Sequence, residues 1–170
     1  RQIPGRVEAI HTVELRARTE GAITNIHFRD GEYVKKGDLL FELDDAEPRA
    51  AGRLAQAEVK SAEATLRQAQ QQLARFESLG NNNAISRHDV DNARMQRDVA
   101  SAALEQARAR LETRNVTLAY TRITAPIDGR VGHSRFHVGS LVNPASGVLV
   151  EVVQLDPIRI AFALEEGAFA

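Results

Sequence analysis

The chain has 170 residues, 22 basic and 23 acidic side chains, and a net charge of −1. That balance gives no electrostatic footprint for nucleic acid, and no stretch reaches the roughly 18 apolar residues that a membrane span needs. There is no cysteine, which excludes disulfides and thiolate metal sites. Alanine supplies 26 residues, against six Phe, two Tyr and no Trp, so the buried core must be thin and built of small side chains. No signal peptide is legible and the first residue is Arg1, which reads as a processed or trimmed chain.

In chain order, the first flank holds short alternating strands separated by acid-Gly turns, at Glu20-Gly21 and Asp30-Gly31, and the second flank has another such turn at Asp128-Gly129. Composition then changes. Residues 46–119 hold 17 of the alanines but only Gly52 and Gly80 of the 11 glycines. Asp44-Asp45-Ala46-Glu47-Pro48 opens a helix, with acids at the positive end of the dipole and a proline in the first turn. Gly80-Asn81-Asn82-Asn83 stops it after Leu79, and Ser86-Arg87-His88-Asp89 restarts it as a capping box. The second helix runs to Ala119. Each is about 33 residues, or roughly 50 Å long.

Both helices carry heptads. In the first, Ala55, Val59, Ala62, Leu66, Ala69, Leu73 and Phe76 alternate spacings of four and three. In the second, Val90, Ala93, Arg97, Ala100, Leu104, Ala107, Leu111, Arg114 and Leu118 do the same. If the chain folds back at Asn83, facing positions add to about 166 in residue number. Leu73 then meets Ala93, Leu66 meets Ala100, Leu104 meets Ala62 and Leu111 meets Ala55. Large faces small, as dense packing of two close helices requires. Arg97 and Arg114 interrupt the seam, and either snorkel out of it or contact a neighbouring hairpin or subunit.

The second flank repeats the first. Ala17-Arg18-Thr19-Glu20-Gly21-Ala22-Ile23, Phe28, Gly31 and Val34 return at an offset of 108 as Ala125-Pro126-Ile127-Asp128-Gly129-Arg130-Val131, Phe136, Gly139 and Val142. After a two-residue insertion near Pro144, Lys36-Gly37-Asp38-Leu39-Leu40 matches Ser146-Gly147-Val148-Leu149-Val150. A repeat split by a helical insert implies two half-motifs that pair into one domain.

The first flank, through Asp30-Gly31-Glu32-Tyr33-Val34-Lys35-Lys36-Gly37-Asp38-Leu39-Leu40, resembles a biotinyl/lipoyl half-motif. With Thr124-Ala125-Pro126-Ile127-Asp128-Gly129-Arg130-Val131 it resembles the periplasmic adaptor (membrane fusion protein, HlyD-like) family of tripartite efflux pumps. The resemblance covers essentially the whole chain and is nearest to the RND-type multidrug adaptors. It implies an α+β fold: a split lipoyl-like β-sandwich at 12–45 and 120–154, an inserted antiparallel coiled-coil hairpin at 46–119, and fragments of a β-barrel domain at 1–11 and 155–170. It also implies a tip motif, R-x3-L-x6-S, matched here by Arg75, Leu79 and Ser86.

A lipoyl-like domain raises the alternative of a lipoyl or biotinyl carrier. Carriers need a lysine at the tight turn between the halves. The chain's lysines are Lys35, Lys36 and Lys60, and Asp44-Asp45-Ala46 occupies that turn, so no cofactor is expected. At the tip, Leu79 is either an exposed docking hydrophobe or a closure of the hairpin end. Arg75 either forks onto a partner or sits on a solvated face, and Ser86 has a competing duty as helix cap. His133 and His137 read as surface strand residues rather than metal ligands. Asp44, Asp45 and Glu47 read as helix capping, and the lone Met95 gives no soft-metal site. No catalytic constellation is visible, so the protein is not expected to be an enzyme.

The expectation is therefore an adaptor. The resemblance implies an inner-membrane RND-type transporter and an outer-membrane TolC-like channel as partners, and self-association into a ring, trimer or hexamer. It implies the periplasm of a Gram-negative cell, with inner-membrane anchoring by a segment absent here. Adaptors of ABC- or MFS-type exporters are the alternative. Leu66→Asp should cost more than about 2 kcal/mol by stranding a charge in the helix seam, read as a fall in melting temperature.

Overall fold

A computed structural model describes residues 5–9, 11–80 and 86–162. The chain divides into two compact units, Asp45–Ala119 and the remainder on either side of it. The first strands are β1 (Gly5–Ala9), β2 (Thr12–Arg16), β3 (Gly21–Ile26), β4 (Tyr33–Val34) and β5 (Leu39–Leu43). Two helices follow, α1 (Ala46–Gly80) and α2 (Arg87–Ala119). The chain ends in β6 (Arg122–Thr124), β7 (Gly129–Val131), β8 (Leu141–Val142), β9 (Val148–Val153) and β10 (Ile158–Phe162).

The β unit is a sandwich of two four-stranded sheets, ordered β2-β9-β7-β4 and β6-β5-β3-β8. The internal repeat explains this. Adding the repeat offset carries β2 onto β6, β3 onto β7, β4 onto β8 and β5 onto β9, and so carries one sheet order onto the other. Even single hydrogen bonds are duplicated. The Gly31 amide donates to the Val131 carbonyl at 2.8 Å, and the Gly139 amide donates to that of Ile23 at 2.8 Å. Gly31 and Gly139, with φ of 78° and 92°, take the left-handed turn that lets each amide reach across.

Each sheet draws two strands from each half. β4 pairs with β7 and β8 with β3, so the short strand of one half completes the sheet of the other. Leu40, Phe41, Val142, Leu149 and Val152 are fully buried between the sheets, and Phe28 meets Phe41 edge-on with ring centroids 5.2 Å apart. Polar ties also cross the halves. The His133 ring and the Ser134 amide bond the Asp30 carboxylate and hold its pKa below the ordinary value. Glu42 is lowered likewise, first by His27, then by Asn25, and it pairs with Arg122 at 3.1 Å. His133 thus lies in the loop after β7, joined to Asp30, rather than in a strand as the sequence suggests.

Two glycines differ from expectation. Gly21 and Gly129 were placed in turns by the acid-Gly pattern, but they open β3 and β7. Gly129 is required by crowding: a Cβ there would stand 2.4 Å from the Val153 carbonyl oxygen of neighbouring β9. The residues flanking the sandwich form a two-stranded antiparallel ribbon, β1 with β10. Residues 1–4, 10 and 163–170, which the sequence assigns to barrel fragments, lie outside the described residues.

The helical unit is an antiparallel hairpin packed on the heptads read from the sequence. Ala55, Val59 and Leu73 of α1 and Ala93, Ala100, Leu104 and Ala107 of α2 are buried. Val59, Leu104 and Ala107 form a cluster joined by Ala62, Leu66 and Leu111. Among the seam positions Arg114 alone is exposed; its counterpart across the seam is Gly52, and a surface hollow of about 420 Å3 opens there beside Leu54, Ala55 and Arg110. Arg97 is half-buried, and its Nε lies 2.7 Å from Asp98 without the alignment of a hydrogen bond. Ion pairs flank the seam: Glu77–Arg94 at 3.1 Å, Glu63–Arg108 at 3.5 Å and Glu58–Arg110 at 3.9 Å.

The same substitution should act oppositely at two glycines. Gly129→Ala drives a methyl into a backbone oxygen and should cost at least about 2 kcal/mol. Gly52→Ala, in a helix with nothing within 4 Å of the new methyl, should stabilise by roughly 0.5–1 kcal/mol. Urea melts of the two variants check the pair.

Candidate functional site

The candidate site is the end of the hairpin where α1 stops and α2 begins. The seam reaches close to it: Leu73 and Ala93 are buried, and Phe76 and Val90 are half-buried. Beyond them the Glu77–Arg94 pair ties the two helices together. That pair was not singled out from the sequence, although both residues flank heptad positions, which is where cross-helix pairs form.

Arg75 and Leu79 stand one helical turn apart on α1, Arg75 turned away from Leu73 and Phe76 and Leu79 at the flank of the seam. Both are exposed, Leu79 to 40%. Arg75 makes no ion pair with another described residue. The structure therefore leaves Arg75 and Leu79 exposed one turn apart.

Ser86 is differently placed. It caps α2: its hydroxyl accepts the Asp89 amide at 3.2 Å and donates to the Asp89 carboxylate at 2.7 Å. The carboxylate takes the hydroxyl, so the box is tied side chain to side chain. Residues 81–85, including the Asn81-Asn82-Asn83 stop, lie outside the described residues. At the other end of α1, Asp45 caps as expected: its carbonyl accepts the Arg49 amide at 2.8 Å and its carboxylate pairs with the Arg49 guanidinium. Among the described residues no three His, Cys, Asp or Glu side chains gather as a metal site.

A family model described as the RND membrane fusion protein, barrel-sandwich hybrid domain, matches residues 11–154. That span takes in both halves of the sandwich and the whole hairpin. The chain belongs to the RND-type membrane fusion protein family. It is 35% identical over 168 residues to the multidrug resistance protein MdtA of Cronobacter turicensis, covering 98% of this chain and 40% of that protein. It is 36% identical over 163 residues to MdtA of Xenorhabdus bovienii, covering 95% and 40%. Among solved structures, MacA from Actinobacillus actinomycetemcomitans superposes with a TM-score of 0.80 at 30% identity, over 96% of this chain and 55% of that one. The chain thus spans about two fifths of the length of these curated relatives. For this membrane fusion protein the split sandwich and the inserted hairpin are the family's fold, and the family is one of adaptors rather than catalysts.

Cap and exposed face are separable. Ser86→Ala should lower stability by about 1 kcal/mol through loss of the cap, whereas Leu79→Ser should stay within about 0.5 kcal/mol of the parent. Thermal melts followed by helix signal distinguish them.

Proposed function

We propose that this chain is part of a periplasmic adaptor that links an inner-membrane RND-type exporter to an outer-membrane TolC-like channel in the efflux of drugs or small molecules. The observation that carries the reading is membership of the RND membrane fusion family across residues 11–154, supported by likeness to two proteins named for multidrug resistance. The chain's own part in this is mechanical. Two paired helices of 35 and 33 residues give a slender element of roughly 50 Å. Its exposed Arg75 and Leu79 offer a forked donor and an apolar contact to the mouth of a channel. Ser86 serves first as a cap.

In this reading the protein is not an enzyme, and export energy comes from the pump. The β1–β10 ribbon is the root of a barrel domain whose remainder lies outside residues 1–170. Copies of the adaptor stand side by side in a ring, in the periplasm of a Gram-negative cell and anchored to its inner membrane.

Arg75→Asp or Leu79→Ser in the full-length adaptor should abolish export, read as at least a several-fold fall in drug tolerance, with unchanged melting of the purified protein. Full export by both variants would remove the tip from the mechanism.

A further inference from the structure

Near the start of α1 and the end of α2 the seam changes character. Gly52 and Arg114 face each other across it, and nothing lies within 4 Å of where a Cβ of Gly52 would stand. Opposite Ala69, the other seam arginine, Arg97, is half-buried. Gly52 offers Arg114 no side chain to pack on, and Arg114 is exposed. A glycine inside a helix is ordinarily a loss.

The hollow of about 420 Å3 lies beside this layer, between the two helices. Clefts that take small molecules span about 300–1,000 Å3. On its α1 side stand Ala51 and Ala55, whose methyl groups leave the space that a larger residue would occupy. Leu54 stands beside them, exposed to 66%. On its α2 side, Arg110 and Arg114 are one helical turn apart, so both guanidinium groups border the same hollow.

The charges around the hollow do not cancel. Glu58 is the one carboxylate lining it, and its approach to Arg110 is 3.9 Å, beyond hydrogen-bond length. Arg114 makes no ion pair with another described residue. Two guanidinium groups against one carboxylate leave a net positive charge next to an apolar patch. A cation would be repelled there. An inorganic anion would leave Leu54 and the two methyl groups wet, and a neutral apolar molecule would leave the guanidinium groups without a new acceptor.

We infer that the hollow binds a small aromatic anion, an aryl sulfonate or aryl carboxylate. Its acid group accepts forked, charge-assisted hydrogen bonds from Arg110 and Arg114, and its ring covers Ala51, Leu54 and Ala55. Arginine suits both parts of such a ligand, because the planar guanidinium pairs with an acid group and also stacks on an aromatic face. The hollow is at the far end of the helices from Arg75 and Leu79, so binding here does not depend on docking there.

The probe is naphthalene-2-sulfonate, titrated calorimetrically at low salt into purified full-length adaptor, with a titration into the same buffer subtracted. The expected result is saturable binding. Naphthalene-2-sulfonamide keeps the ring without the charge and should bind at least about tenfold more weakly. Methanesulfonate keeps the charge without the ring and should give no saturable signal over the same concentrations. Arg110→Gln together with Arg114→Gln should weaken sulfonate binding at least about tenfold. Ala51→Leu, which fills the hollow and leaves every charge in place, should do the same. Leu54→Ser alters an exposed side chain that the fold does not need and should weaken binding several-fold. Helix content and melting temperature confirm that each variant is folded. No saturable binding by the parent, equal affinity for the sulfonamide, or parent affinity in the double arginine variant or in Leu54→Ser would each overturn the inference. Sedimentation of the same proteins covers the remaining occupant: if the arginine changes alter self-association and the parent binds no sulfonate, the hollow is a contact between copies and the ligand site is overturned.

Discussion

Strand exchange between two half-motifs is the constraint on which the rest of the β unit depends. β4 hydrogen-bonds to β7 and β8 to β3, so neither half owns a complete sheet. Folding one half alone would leave unpaired strand edges and expose Leu40, Phe41, Leu149 or Val152 to water. The duplicated amide contacts of Gly31 and Gly139 show that the exchange is reciprocal. Closing the sandwich also pairs β5 with β6, the two strands that lead into and out of the helices. A hairpin of 35 and 33 residues can therefore be inserted there, because its two ends are already neighbours and the closure entropy of a long insertion is modest.

The hairpin meets a different constraint. With few bulky side chains it cannot bury a broad core, and it uses one line of contact instead. Leucines stand across from alanines, which brings the helices close and keeps the packing dense despite small side chains. A two-helix element has only one inner face, so the opposite face of each helix stays in water unless another molecule covers it. On α1 that face carries Arg75. A globular enzyme of equal length would have gathered its apolar residues around a cavity.

Much of this was legible in the residues. Helix limits, the seam from Ala55 to Phe76, the Ser86 cap and the repeat at an offset of 108 all rest on local spacing and turn chemistry, which act over a few residues at a time. The misses were of another kind. Gly129 looked like a turn residue because Asp128 precedes it, and its real reason is the backbone of β9 more than twenty residues later in the chain. His133 looked like a strand residue, and it answers to Asp30 across the two halves. An exposed helix face and a buried one share the same period. Only the burial of the inner residues shows which face is left over.

The sequence by itself determined the order of elements, the inserted hairpin, its register and the family resemblance, because periodicity, caps and glycine positions are written locally. The tertiary structure decided which strands share a sheet, since a repeat specifies equivalence of the halves but not whether they pair with themselves or with each other. It also decided which carboxylates have depressed pKa values, as with Asp30 beside His133, and which face of each helix stays open. Those properties depend on residues brought together from some hundred positions apart, and no local pattern encodes that proximity.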